Sequence, residues 1–236
     1  MTKNMKNNNC FNDLLSVDSV IFEHLKLKEN RIEKYLGKEF SIFPKVFNPF
    51  IAPSGNLSLV FASVPNLFKN KRVLEVGCGT GIISSLIALN GASYVLGIDR
   101  SEIAIQNSLD NKERLNLENI DFIHADIRED CSSLNLDSFD IYFADLPLIE
   151  STKNINTLIK NTPLEYAFFD KKLLATKAYI EKTINIKNKY PDKRFFLCIS
   201  SLDELFEKNI LNNCYEIQEY INIRLGWVDL KIVEII

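Results

Sequence analysis

Glu75-Val76-Gly77-Cys78-Gly79-Thr80-Gly81 sets three glycines at alternate positions, directly after an apolar run and ahead of a second one that begins at Ile82. Glycine tolerates positive φ and lets a ligand lie against the main chain. A helix starting at residue 82 would point its free N–H groups at that ligand. Acidic residues end three later apolar runs, in Ile98-Asp99-Arg100, His124-Ala125-Asp126-Ile127 and Phe143-Ala144-Asp145-Leu146-Pro147. A carboxylate at Asp99 can accept hydrogen bonds from both hydroxyls of a ribose. The loop departs from the Gly-x-Gly-x-x-Gly of dinucleotide folds, because Ile82 holds the sixth place and Gly81 comes one residue early. Glu75 would also repel a pyrophosphate, so a nicotinamide dinucleotide is disfavoured.

These residues need elements that bring strand ends together. Apolar runs at 72–76, 94–98, 121–124, 139–144 and 194–200 read as buried strands, separated by helical patterns at 81–90, 101–116 and 171–187. Ser101 is placed to cap its helix, and Ser201 with Glu204 forms a capping box for another. Two strand-like runs at 215–225 and 227–235 surround Gly226, and the short connection predicts an antiparallel pair. The sum is a doubly wound α/β domain with a mostly parallel seven-stranded sheet, whose ligands bind outside the carboxyl ends of the strands. Residues 53–236 are assigned to this domain and residues 1–52 to a small N-terminal helical cap with an extended segment.

Within the cap, Leu14, Val17, Val20 or Ile21, and Leu25 recur at helical spacing with His24 among them as a half-buried residue, and a second short helix is predicted at 29–36. Pro44, Pro49 and Pro53 then exclude helix from a stretch rich in phenylalanine, which suits extended segments or a hairpin over an aromatic floor. The next helix is predicted at 56–67.

Over 236 residues, 46% are hydrophobic and 25% charged, as expected of a globular chain, and the net charge of −3 without a dense Lys/Arg run argues against extended nucleic-acid binding. The five cysteines, Cys10, Cys78, Cys131, Cys198 and Cys214, show no Cys-x-x-Cys spacing, and His24 and His124 are the only histidines. That pattern predicts reduced thiols, no metal site and a cytoplasmic location. No signal-peptide core or membrane-length apolar run occurs, so no membrane partner is expected.

Glu75-x-Gly77-x-Gly79-x-Gly81 resembles the first motif of the class I S-adenosylmethionine-dependent methyltransferases, whose loop holds the methionine half of the cofactor. The resemblance implies a cofactor set of Glu75, Gly77, Cys78, Gly79, Gly81, Asp99, Arg100, Asp126 and Ile127. It gives Asp126 the exocyclic amine of adenine and the Ile127 N–H a ring nitrogen. Asp145-Leu146-Pro147-Leu148 stands where relatives that modify planar amino groups carry Asn-Pro-Pro-Tyr. Tyr35-x-Gly37-x-Glu39-Phe40 and Tyr166-Ala167-Phe168-Phe169-Asp170 look like the flanks of the small-domain group that includes the release-factor glutamine methyltransferases.

The chain departs from that group at Asp145 for Asn, Leu146 for Pro and Leu148 for the stacking aromatic. A carboxylate prefers a cationic or proton-losing nitrogen to a neutral amide. The implied function is therefore methyl transfer to an amino group of a small molecule or exposed side chain, with Asp145, Leu146 and Pro147 as the catalytic group. Two alternatives are intramolecular cyclisation of S-adenosylmethionine to a cyclic amino acid with release of methylthioadenosine, and N-methylation of a protein glutamine or of rRNA.

Overall fold

A computed structural model describes residues 17–147, 158–200, 216–225 and 228–236. The elements run α1 (Val17–Lys26), β1 (Arg31–Tyr35), β2 (Lys38–Ile42), α2 (Pro53–Ala62), β3 (Arg72–Val76), α3 (Ile82–Leu89), β4 (Tyr94–Asp99), α4 (Glu102–Arg114) and β5 (Ile120–His124). They continue with β6 (Ile141–Ala144), α5 (Pro163–Phe168), α6 (Leu174–Lys189), β7 (Arg194–Ser200), β8 (Ile217–Leu225) and β9 (Val228–Ile235).

Seven strands form one sheet in the order β5-β4-β3-β6-β7-β9-β8, parallel from β5 to β7, with β9 antiparallel to both neighbours. Alternate side chains leave opposite faces. Val73, Phe143 and Phe196 therefore meet Phe61 of α2 and Ile87 of α3 on one side. Leu74, Tyr142 and Phe195 meet Tyr179 and Ile180 of α6 on the other. Burial of both faces explains the apolar runs of β6 and β7 and, apart from Glu75, of β3, whereas the edge strand β5 alternates.

The register that matters for function pairs Val76 with Ile98 on one side and with Ala144 on the other. The chain leaves β3 toward β4 and returns to the far side of β3 with β6, so the three strand ends open into one crevice at the point where strand order reverses.

Several local expectations give way to tertiary context. Residues 31–35 form a strand and not a second helix, because Leu36 and Gly37, with φ of 47° and 74°, make a tight turn that pairs Tyr35 with Lys38. The hairpin is docked by α4, whose fully buried Asn107 and Asn111 amides accept from the Phe43 and Ser41 N–H groups and donate to the Ser41 carbonyl. Helix α2 opens on Pro53 and ends at Ala62 instead of residue 67. Ser101 stands at the N-cap of α4 but makes no side-chain cap; its N–H goes to Asp99.

Helix α6 begins at Leu174, later than predicted, because Lys172 and Leu173 adopt positive φ. Asp170 then accepts the N–H groups of Ala175 and Thr176. Cys78, Cys131 and Cys198 are buried free thiols. Cys10, Cys214 and the Ser201/Glu204 capping box lie outside the described residues. Among the described residues no helix is long and apolar enough to cross a membrane.

Candidate active site

The glycine loop is fixed first by the main chain: the N–H groups of Gly77 and Cys78 both donate to the Ile98 carbonyl, at 2.8 and 3.0 Å. Gly79 and Gly81 are glycine for different reasons. At Gly81, φ is +73° and a Cβ would lie 2.4 Å from the Ser108 Cβ, so α3 and α4 could not close together with any other residue. At Gly79, φ is +53° and a Cβ would meet nothing within 4 Å, because that position faces the open crevice. Gly79 is the glycine over which a ligand can pass, and Gly81 is a packing residue. Cys78 offers only main chain: its thiol is buried in the core, and burial pushes it well above the usual thiol range.

Every other predicted site residue lines one cavity: Glu75, Gly77, Cys78, Gly79, Asp99, Arg100, Asp126, Ile127, Asp145, Leu146 and Pro147. Three carboxylates dominate its floor. Asp99 accepts the Gly79 N–H on Oδ2 at 2.9 Å and the Ser101 N–H on Oδ1 at 2.8 Å. Burial raises its pKa against those two bonds, and each oxygen keeps a second lone pair for a hydroxyl. Glu75 is 1% exposed, receives the Ser84 hydroxyl of α3, and is pushed up to about 8 by desolvation first, with the charges of Asp145 and Asp99 adding to the rise. Asp145 receives the Ser58 hydroxyl of α2 on Oδ2 at 2.6 Å, and burial raises its pKa too.

At the adenine end predicted from the resemblance, Asp126 is already engaged. Arg128 donates to it through its main-chain N–H at 3.0 Å and its side chain, and Arg100 stands 3.6 Å away. Burial pulls the Asp126 pKa up, but the Arg128 hydrogen bonds outweigh it and hold the group below the usual carboxylate range. An adenine amine would have to share this carboxylate with Arg128. The Arg100 guanidinium also lies 4.1 Å over the Tyr166 ring, which joins the loop after β4 to α5. Ile127 is buried and packs with Leu146 and Val76, giving this end an apolar wall.

The roof comes from α1, the chain between β2 and α2, and α5, through Val20, Val46, Phe47, Pro49, Tyr166 and Phe168. His24 ties the three together. It is buried, 4% exposed, and not half-buried as its helical face suggested. Its Nδ1 lies 2.7 Å from the Val20 carbonyl, and its Nε2 accepts the Asn48 N–H at 2.7 Å. The ring stacks on Phe47 and meets Phe168 edge-on, both at 5.1 Å. This tautomer is neutral, and desolvation lowers the His24 pKa below 6.5.

A depressed histidine pKa contributes stability that is full above the unfolded value of about 6.5 and is lost as pH falls from there toward the folded value. Glu75 acts in the opposite sense, so the useful measurement is a difference. The margin in thermal midpoint of wild type over His24→Gln should shrink as pH falls through about 6.5. A margin that does not change with pH would show that the ring is not held neutral.

Ser58, Ser84, Cys198 and Arg128 were not singled out by sequence reasoning. Arg128, two places after Asp126, could have been noticed as a local pair. Ser58 lies 87 positions from Asp145, and nothing local signals that contact.

S-adenosylmethionine fits this cavity by charge and by shape. Carboxylates on three strand ends suit a ligand bearing a sulfonium and an ammonium, and the open side of Gly79 leaves room for it on the main chain. The family described as "Methyltransferase domain" matches residues 67–226. A protein of Methanocaldococcus jannaschii, provisionally named a protein N5-glutamine methyltransferase, is 29% identical over 118 residues, which cover 50% of this chain and 55% of that protein. An uncharacterized RNA methyltransferase of Clostridium tetani is 34% identical over 124 residues, covering 50% of this chain but only 26% of that protein. The crystal structure of Pyrococcus abyssi tRNA (uracil-54, C5)-methyltransferase in complex with S-adenosyl-L-homocysteine shares the fold at a TM-score of 0.58 and 18% identity, over 89% of this chain and 45% of that one.

Proposed function

Since the chain belongs to the methyltransferase-domain family, whose methyl donor is S-adenosylmethionine, we propose that it methylates an amino group carried by a small molecule or by an exposed side chain. The observation that carries this reading is the position of Asp145, a carboxylate that opens into the same cavity as the glycine loop and Asp99. The loop from Gly77 to Gly79 and Glu75 would hold the methionine part, Asp99 the ribose, and Asp126 with Ile127 the adenine.

When bound, S-adenosylmethionine supplies a methyl group on a sulfonium sulfur that is already a good leaving group. The protein's share is then mostly alignment, which removes translational and rotational freedom before reaction. Asp145 orients an amine and can take its proton on the oxygen that Ser58 does not occupy. Leu146 and Pro147 line the same cavity. The roof covers part of this cavity, and covering it further would exclude water.

A second reading, N-methylation of a glutamine side chain or of RNA, is supported by the names of the two relatives above. Against it stands Asp145, which offers a neutral amide less than asparagine would. Purified protein incubated with S-adenosylmethionine and amine-containing cell extract should yield S-adenosylhomocysteine together with a methylated amine, identified by mass spectrometry. Methylthioadenosine as the sulfur product would replace methyl transfer by cyclisation, and a methylated amide or base would replace the amine.

A further inference from the structure

The neighbours of Asp145 are unusual for a group at the floor of an open cavity. Its Oδ2 accepts the Ser58 hydroxyl at 2.6 Å, and Ser58 itself is completely buried in α2. Cys198 of β7, also completely buried, lies beside both, and burial first, then the Asp145 charge, keeps its thiol protonated. The Asp145 charge in turn helps to raise the pKa of Glu75 on β3. Among the described residues no lysine or arginine forms an ion pair with Asp145. Ser58 is thus the strongest donor that Asp145 has, ahead of the Cys198 thiol, and it does not itself line the cavity that Asp145 lines.

We propose that Ser58 is a positioning residue: its hydroxyl keeps Asp145 ionised with one oxygen turned to the cavity, which fits the site to an acceptor that arrives as an ammonium ion. A hydroxyl that donates to a carboxylate favours the charged form. Without it, the enclosed aspartate would keep only the weaker thiol donor of Cys198, and burial would favour its protonated form. A protonated Asp145 could neither attract an ammonium group nor remove its proton. The contact also gives α2 a role in the chemistry. Gly55 of that helix is pressed against Pro49, where a Cβ would come within 2.4 Å of the Pro49 Cα. The roof segment, α2 and the Asp145 carboxylate are therefore one connected unit.

This inference rests on the proposed amino-group methylation, but its test is arranged to fail separately. Protein labelled with 13C at the aspartate carboxyl carbons is titrated by NMR without cofactor or acceptor, with Asp145→Asn used to assign the signal. In Ser58→Ala the Asp145 pKa should rise by about one unit or more, and the acid limb of kcat/KM should move up with it, lowering kcat/KM about tenfold or more well down that limb. Ser58→Thr, which keeps the hydroxyl, should restore both. An Asp145 titration unchanged in Ser58→Ala would overturn the proposal, even if methylated amine is formed. A shifted titration in a protein that forms no methylated amine would uphold the role of Ser58 and remove the methylation reading instead.

Discussion

Asp145→Asn is expected to lower turnover about 10²-fold or more, the usual scale for a positioned acid or base. S-adenosylmethionine affinity should stay within about threefold of wild type, a change of roughly 0.6 kcal/mol. The substitution keeps the shape of the side chain and an oxygen that can accept the Ser58 hydroxyl, so the floor of the cavity need not rearrange. What it removes is the charge and the capacity to take a proton. An acceptor that arrives as an ammonium ion loses both its attraction to the site and its base. An acceptor with a neutral planar nitrogen would lose little and could gain, since asparagine is the residue that the resembling group carries there. Steady-state kinetics alongside calorimetry of cofactor binding separates the two, and full turnover in the asparagine variant would return the protein to the amide and base group.

Asp99→Ala should weaken S-adenosylmethionine binding by about two orders of magnitude or more, from the loss of two charge-assisted hydrogen bonds together worth roughly 2 to 4 kcal/mol. The geometry adds a second route to the same loss. Asp99 accepts the Gly79 N–H as well as that of Ser101, so it also shapes the open part of the glycine loop. Asp99→Asn, which keeps one acceptor oxygen, should fall between alanine and wild type. Calorimetric titration with S-adenosylmethionine measures all three, and an affinity for the alanine variant within about threefold of wild type would remove Asp99 from the ribose site.

The strands that form the site could be read because each is buried on both faces, which makes an unbroken apolar run the cheapest solution and leaves its polar end conspicuous. Gly79 and Asp99 were legible for that reason. Gly81 was legible as a glycine, and the close approach of Ser108 adds a packing requirement between two helices that the sequence did not reveal. The strand at 31–35 was missed because its two apolar residues, Ile32 and Tyr35, lie three apart and show no strand alternation, and its pairing depends on two positive φ angles in succession. Its partner strand is docked in turn through Ser41 and Phe43 by asparagines 70 and 64 positions away, which no local pattern reveals.

By itself, the sequence determined the alternation of strands and helices, hence the parallel sheet and the crevice at its carboxyl ends, because periodicity and burial are properties of neighbouring residues. It also determined which carboxylates end the strands. Only the tertiary structure decided what state those carboxylates occupy. Ser58 and Ser84 reach Asp145 and Glu75 from helices α2 and α3, while Arg128 and Arg100 gather on Asp126. Proton affinity depends on burial and on charges and donors within a few ångströms, and those neighbours are set by how helices pack over a sheet. The same holds for the roof, where His24, Asn48 and Phe168 come from three separate stretches and meet only in the folded chain.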